Sequence, residues 1–507
     1  LDNHAITAGF EYEALEIFNL FVQHTETEIR FRGIDNFRAG LPRAIYYNNA
    51  PSNNSADAAA DWGYEVTTLY IQDEFNVSDN LELMAGLRYD RYTSDDSPET
   101  NATFLADYGF SNGITVDGKS LVQPRFGFTY TLSDRTKVRG GVGLYSGGNP
   151  NVWLSNNYSN NNVLQFGQRG RSFGYTNGSR SLFDADVVYA GVEAGLPAGP
   201  GYGIPQELYD AVAGGVGSNF EINYLDPNFE LPSDWKAAIG VTHQIDDTLT
   251  LQGDLLITRG NDTAIVQRGD LEMTGLNEDG YPIYDSVREP TFVLTNSSRG
   301  NESLVASFSL DKDFGNGLSA IAGYAYTDAK DVQPMTSAVA FSNYQNRAFF
   351  DPQEKKLSTS NYEIKHRMTF ILDWKKMLIG DNFTTVSLYA SANQGPSYSF
   401  AVRGNGIFNY TPYLEGNNVL VEDGARNDEE GSWWAKADIK VEQEFSVGPG
   451  KASAFVIIDN LTNFLNDEWG VMRKVNFPNN VAPGNQAEAR IGDASLSEIR
   501  FGVRYEF

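Results

Sequence analysis

The chain has 507 residues, with 66 acidic and 38 basic side chains, a formal net charge of −28, 13% aromatic residues and no cysteine. Zero cysteine excludes a disulfide scaffold, a thiolate metal site and a cysteine nucleophile, and the negative charge argues against a nucleic-acid partner, whose phosphates it repels. No run reaches the ~18 apolar residues of a membrane-spanning helix, and the aromatic content is too high for a disordered acidic chain.

Period-two alternation of apolar and polar residues recurs from end to end and predicts an all-β chain. Strands are expected near 4–12, 14–23, 64–77, 80–92, 121–132, 135–146, 234–246, 248–268, 298–314, 317–328, 362–375, 381–393, 432–446, 450–462 and 497–507, fifteen in all. In the fourth, Leu81, Leu83, Ala85, Leu87 and Tyr89 alternate with Glu82, Met84, Gly86, Arg88 and Asp90. In the eighth, Leu249, Leu251, Leu255 and Ile257 oppose Thr250, Gln252, Asp254 and Thr258. Further on, Ala435, Ala437, Ile439, Val441 and Phe445 alternate with Lys436, Asp438, Lys440, Glu442 and Glu444, and the chain closes on Phe501, Val503, Tyr505 and Phe507 against Gly502, Arg504 and Glu506.

A soluble antiparallel sheet with one wet face shows the same pattern. Strand length and the connections favour a transmembrane antiparallel β-barrel. Most of the strands exceed the usual five or six residues, as a tilted crossing needs. Tight turns (VSDN 77–80, LSDR 132–135, DDT 246–248, FGNG 314–317, SVGPG 446–450) alternate with connections tens of residues long. Long loops on one side and short periplasmic turns on the other belong to outer-membrane barrels. Trp62, Trp153, Trp235, Trp433 and Trp434 fall at long-loop ends and Trp374 at a short-turn end, where interfacial girdles are expected. The expected turn near Glu13 makes the first strand start on the long-loop side, whereas the last ends on the short-turn side. An even-stranded barrel with both termini in the periplasm then requires an odd number of strands before Leu1.

These residues carry a family resemblance. YIQDEFNVSDNLELMAGLRYDRY (70–92), PRFGFTYTLSDRTKVRGGVGLYSGG (124–148), LPSDWKAAIGVTHQI (231–245) and IIDNLTNFLNDEW (457–469) resemble the barrel signatures of TonB-dependent outer-membrane receptors. LNEDGYPIYD (276–285) is similar to the Oar-like subgroup, in which a carboxypeptidase-regulatory-like domain precedes the plug. The resemblance implies a 22-stranded barrel type of which residues 1–507 are the C-terminal part, with the plug domain, TonB box, signal peptide and seven early strands not in the chain. It implies location in the outer membrane of a Gram-negative bacterium, contact with outer-membrane lipid and lipopolysaccharide, and coupling to the TonB–ExbB–ExbD complex through the plug. It also gives Phe501, Val503, Tyr505 and Phe507 the role of the closing-strand signal read by the barrel-assembly machinery.

Candidate sites are few. The Asn-, Gly- and Ser-rich loop from Ser146 carries Trp153, Tyr158, Phe166, Phe173 and Tyr175, rings able to stack on a sugar or grip a peptide, or else to pack on one another. The acidic loop 421–431 holds Glu422, Asp423, Asp428, Glu429 and Glu430 without the spacing of a calcium loop. Lumen-side charges, Lys436, Asp438, Lys440, Glu442, Glu363, Lys365 and Arg367, line a path or neutralise one another. His4, His24, His243 and His366 are scattered, with His243 and His366 on outward positions, so no metal cluster is expected; neither is a cofactor. The Gly141–Val142–Gly143 pattern precedes no helix, and no G-x-S-x-G or H-E-x-x-H occurs, which speaks against an enzyme. The expected function is TonB-dependent uptake of a bulky nutrient, with oligosaccharide or peptide favoured over an anionic iron chelate. A surface lipoprotein covering the loops is a further candidate partner. A passive porin-like channel and an adhesion or assembly anchor are the alternatives.

Overall fold

The computed structural model describes residues 3–175, 178–191, 199, 203–216, 221–402, 418–485 and 487–507. Its main sheet has 17 strands, three of them two-residue pieces of loop (Ser358–Thr359, Val419–Leu420 and Asn480–Val481). The other fourteen are long: β1 His4–Asn19, β2 Ala60–Ser78, β3 Leu81–Thr93, β4 Ser120–Ser133, β5 Thr136–Ser146, β6 Ser233–Asp246, β7 Leu249–Asn261, β8 Glu302–Gly315, β9 Leu318–Asp331, β10 His366–Ile379, β11 Asn382–Val402, β12 Glu429–Val447, β13 Gly450–Asp459 and β14 Glu498–Glu506. Each pairs antiparallel with the next. Among the described residues no pairing joins β1 to β14.

The expected turns stand where the residues put them, and Ile379–Asn382 is a further one. FGNG shows why turn chemistry was readable. Gly315, Asn316 and Gly317 all take positive φ (74°, 53° and 77°), and a Cβ on Gly317 would stand 1.9 Å from the Lys375 carbonyl oxygen. Only glycine fits there.

Two strand boundaries differ from expectation. Residues 4–12 and 14–23 are one strand, because Ile6, Ala8, Phe10, Tyr12 and Ala14 keep alternating through Glu13 and no turn residue interrupts them. The register runs unbroken from His4↔Phe75 to Asn19↔Ala60. β1 therefore begins on the short-turn side, where β14 also ends. The inference of an odd number of missing strands, and of seven in particular, falls away with it. Residues 248–268 break at Asp262, whose φ is 53°; Thr263–Arg268 turns off the barrel wall and pairs with Thr291–Ser297.

Register divides the wall into two faces. Directly opposed residues share a face, so Phe10, Leu69, Leu87, Val122, Val142, Ile239, Phe308, Phe370, Val441 and Phe501 lie on the outside, and most of them are well exposed. Trp235, Trp433, Tyr324 and His366 join that face near the long-connection end. His366 stacks on Trp433 with ring centroids 5.7 Å apart and its Nδ1 is 2.8 Å from the Tyr324 hydroxyl. Trp374 lies outward at the other end. Trp62 and Trp434 face inward and Trp153 sits in a loop helix, so the girdle comprises part of the tryptophan set.

The packed core is not in the barrel, whose lower inner wall is polar. It lies in the long connections. One cluster joins inward residues at the tops of β2 and β3 (Trp62, Tyr64, Val66, Tyr92) to loop residues such as Phe229, Phe292 and Tyr344. A second, around Ile45, Tyr47, Tyr175, Ile204 and Leu208, belongs to connections 20–59 and 147–232. The loops thus fold into a crown at the long-connection end.

Candidate functional site

Three layers stack along the inside of the wall: a band of paired charges, a cavity above it, and the crown. In the band, Arg88 reaches Glu11 at 3.1 Å, Asp90 at 2.8 Å and the Thr68 hydroxyl at 3.1 Å. Asp90 also accepts from the Gln123 amide at 2.6 Å. Arg139 pairs with Asp254 at 2.6 Å across Gly240, where a Cβ would stand 2.3 Å from the Asp254 carboxylate; the glycine leaves room for the pair. Farther round, Lys436 meets Asp438 at 3.4 Å, and Glu442 is held by Lys440 and by Arg504, the latter at 3.2 Å. These lumen charges neutralise one another, as alternation within a wet barrel allows. Glu363 and Lys365 lie just before β10. Glu363 accepts from the Ala329 amide at 2.6 Å, and burial pushes its carboxyl above the usual range; Lys365 pairs with Glu430.

A cavity of about 410 Å³ lies at the long-connection ends of β5 to β9. Its wall combines inward strand residues (Asp234, Thr258, Ser303, Asp331) with Trp153, Met335 and Tyr362 from the connections. Asp331 is 5% exposed and pairs with buried Arg426 at 2.8 Å. Nothing in the linear sequence linked Asp234, Asn301, Asp331 and Tyr362; only the register of four strands brings them together.

The crown holds two more buried ion pairs, Arg268–Asp270 at 2.5 Å and Arg347–Glu354 at 3.6 Å. Arg347 is 1% exposed; burial lowers its pKa and raises that of Glu354. The five candidate aromatics fall into the crown. Trp153 packs against the first core, lines the cavity, and donates its Nε1–H to the Ser337 carbonyl at 2.9 Å. Tyr158 is buried and stacks on Trp62 at 4.8 Å. Phe166, Phe173 and Tyr175 pack in the second core, Tyr175 with no exposed surface. The structure therefore brings the set together as two packed groups rather than one open platform. In the acidic loop, Asp423 pairs with Lys356 at 3.0 Å and Glu430 with Lys365, and no cluster of metal-capable side chains forms among the described residues. Phe501, Val503, Tyr505 and Phe507 project outward from β14 and are exposed.

The matching family model is that of an outer membrane beta barrel domain, over residues 1–382. The chain belongs to that family. It is accordingly a β-barrel protein of the Gram-negative outer membrane. Its apolar face meets lipid, and its crown is the extracellular side. Among solved structures, the outer membrane transporter YddB from Escherichia coli is similar with a TM-score of 0.51 at 11% identity, over 96% of this chain and 50% of that one. The FrpB iron transporter from Neisseria meningitidis (F3-3 variant) gives 0.50 at 12% identity, over 99% and 52%. This chain spans about half the length of the solved structures it matches. No curated protein sequence matches it.

Proposed function

We propose that this chain is the barrel portion of a TonB-dependent receptor that takes up a bulky nutrient. The observation that carries the reading is the cavity formed between the inner wall and a packed crown. An open pore would leave that mouth wet, whereas a receptor needs a built pocket above its conduit. The similarity to outer-membrane and iron transporters supports the fold side of the reading. Opening would come through a plug contacted by the TonB–ExbB–ExbD complex. The segment 276–285, which spans the turn and most of the second strand of the hairpin Leu271–Leu276 and Pro282–Ser286, fits the Oar-like form of the family.

The ligand we favour is an oligosaccharide or peptide rather than an anionic iron chelate, because the charged side chains bordering the cavity are three acidic, Asp234, Glu302 and Asp331, against one basic, Lys330, and Asp234 makes no ion pair among the described residues that would offset its repulsion of an anion. Of the five loop aromatics, Trp153 is the one we assign to ligand contact; Tyr158, Phe166, Phe173 and Tyr175 shape the loops that hold it. The exposed aromatics of β14 serve as the signal for the barrel-assembly machinery.

The test is growth and uptake by cells with and without the intact gene, repeated in a strain lacking TonB. The reading expects uptake of an oligosaccharide or peptide source to fall in both. A steady conductance of the full-length protein in planar bilayers, with uptake indifferent to TonB, would replace it with a passive channel. Lost surface attachment with uptake intact would replace it with an adhesion anchor.

A further inference from the structure

The cavity at the tops of β5 to β9 has an uneven hydrogen-bonding balance. Several of its donors are engaged elsewhere. The Trp153 indole N–H is taken by the Ser337 carbonyl at 2.9 Å, and the Tyr362 hydroxyl by the Pro334 carbonyl at 3.2 Å. The Gln333 side chain is held by the Val266 backbone, donating one N–H at 2.7 Å and accepting at 2.9 Å. Lys330 lies 3.4 Å from Asp328. Its acceptors, by contrast, are incompletely paired. Asp331 gives Oδ1 to Arg426, while its buried Oδ2 has no hydrogen-bond partner; the buried Oδ1 of Asn301 has none either. Asp234 is half-buried and makes no ion pair among the described residues. The hydroxyls of Thr258 and Ser303 turn either way.

We propose that this cavity binds a protonated primary amine, a lysine side chain or the N-terminus of a peptide. An ammonium group carries three donors and no acceptor, which complements the half-buried Asp234 carboxylate and the Thr258 and Ser303 hydroxyls beside it. A sugar hydroxyl brings lone pairs as well, and these would find the wall's donors already engaged. The Trp153 and Tyr362 rings add faces that attract a cation. The volume of about 410 Å³ lies within the range of small-ligand pockets, roughly 300–1,000 Å³. The proposal rests on the uptake reading and narrows its ligand to the peptide class.

The test uses the detergent-purified full-length protein and trilysine amide as probe, in calorimetric titration. The comparisons are the same peptide acetylated on every amine, and maltohexaose. Two variants each remove one negative charge: Asp234→Asn at the cavity and Asp79→Asn in an exposed turn on the opposite end. Trilysine should bind one saturable site. Acetylation, which removes every ammonium group, should abolish saturable binding; Asp234→Asn should weaken it about tenfold, the loss expected of one charge-assisted hydrogen bond, while Asp79→Asn leaves it unchanged. Equal loss in both variants would reduce the effect to bulk charge and overturn the site. Undiminished binding of the acetylated peptide, or binding of maltohexaose in its place, would overturn the amine while leaving uptake standing. Uptake in cells that is indifferent to the receptor, with the amine site still measured in vitro, would instead overturn the uptake reading alone.

Discussion

Trp62→Ala should detach one side of the crown while leaving the barrel intact. Trp62 points inward from the top of β2 and is 3% exposed. It stacks on Tyr158 at 4.8 Å and 10°, lies 5.7 Å from Tyr64, and donates to the Ser155 hydroxyl at 3.1 Å. Tyr158 and Ser155 belong to the loop helix Asn151–Ser159, whose N-cap residue, Pro150, makes no side-chain capping bond. A nine-residue helix of this kind depends on tertiary packing. Removing a buried tryptophan costs about 3–5 kcal/mol, which already contains the lost stacking and hydrogen bond. Each 1.4 kcal/mol is tenfold, so amides of this helix should exchange roughly a hundred to several thousand times faster. Hydrogen exchange by mass spectrometry on the detergent-solubilised protein reads this directly. Trp62→Phe keeps an aromatic ring but loses the hydrogen bond and the second ring of the indole, so its change should fall between about 1 kcal/mol and that of Trp62→Ala. Strands β11 and β12, across the sheet, serve as the internal reference. Unchanged exchange in the helix would refute the idea that the wall holds the crown through this stack; equal acceleration in β11 and β12 would refute the separation of crown from barrel.

Three further outcomes follow from the geometry. Phe308 and Ser309 are adjacent on β8 and face opposite ways, so Phe308→Lys should cost about 2–4 kcal/mol in refolding into bilayers and Ser309→Lys much less; equal costs would mean the faces are misassigned. Arg426→Ala leaves the Asp331 carboxylate buried without its partner, a loss of about 3–5 kcal/mol, and the double variant Arg426→Met, Asp331→Leu should recover most of it by urea titration of crown unfolding. Burial raises the carboxyl pKa of Glu354 and of Glu363, both at the crown. Between the unfolded and the raised folded pKa the folded state binds more protons, so crown stability should rise as pH falls from neutral toward the ordinary carboxylate range. Protease resistance of the crown measured between those limits should increase on acidification, and a decrease would contradict the assignment.

The wall was legible because its chemistry is local. Alternation needs only neighbouring residues: Phe308 beside Ser309, or Lys436 beside Ala437, declares its face without tertiary information. Tight turns are equally local, as FGNG shows. The places where the pattern misled are those where alternation continues while something else changes. Glu13 sits in an unbroken alternation that admits no turn, and Asp262 bends the chain by backbone conformation alone. The candidate site was legible only at Trp153. Its other walls meet through strand register, and the stacking of Tyr158 on Trp62 joins residues 96 positions apart, a distance over which composition carries no signal. Of the aromatics named for ligand stacking, Tyr158, Phe166, Phe173 and Tyr175 pack within the crown, because a charged, water-lined barrel leaves the loops as the place for a dry core.

Because the chain has no cysteine, single-cysteine variants report orientation without background. The most direct test of the account labels Phe37→Cys and Phe183→Cys, exposed in the crown, alongside Asp79→Cys and Asp247→Cys in the tight turns, on intact cells with a membrane-impermeant maleimide. The account predicts labelling at positions 37 and 183 and none at 79 and 247 until the outer membrane is broken. Labelling of the turns on intact cells, with the crown positions protected, would contradict it.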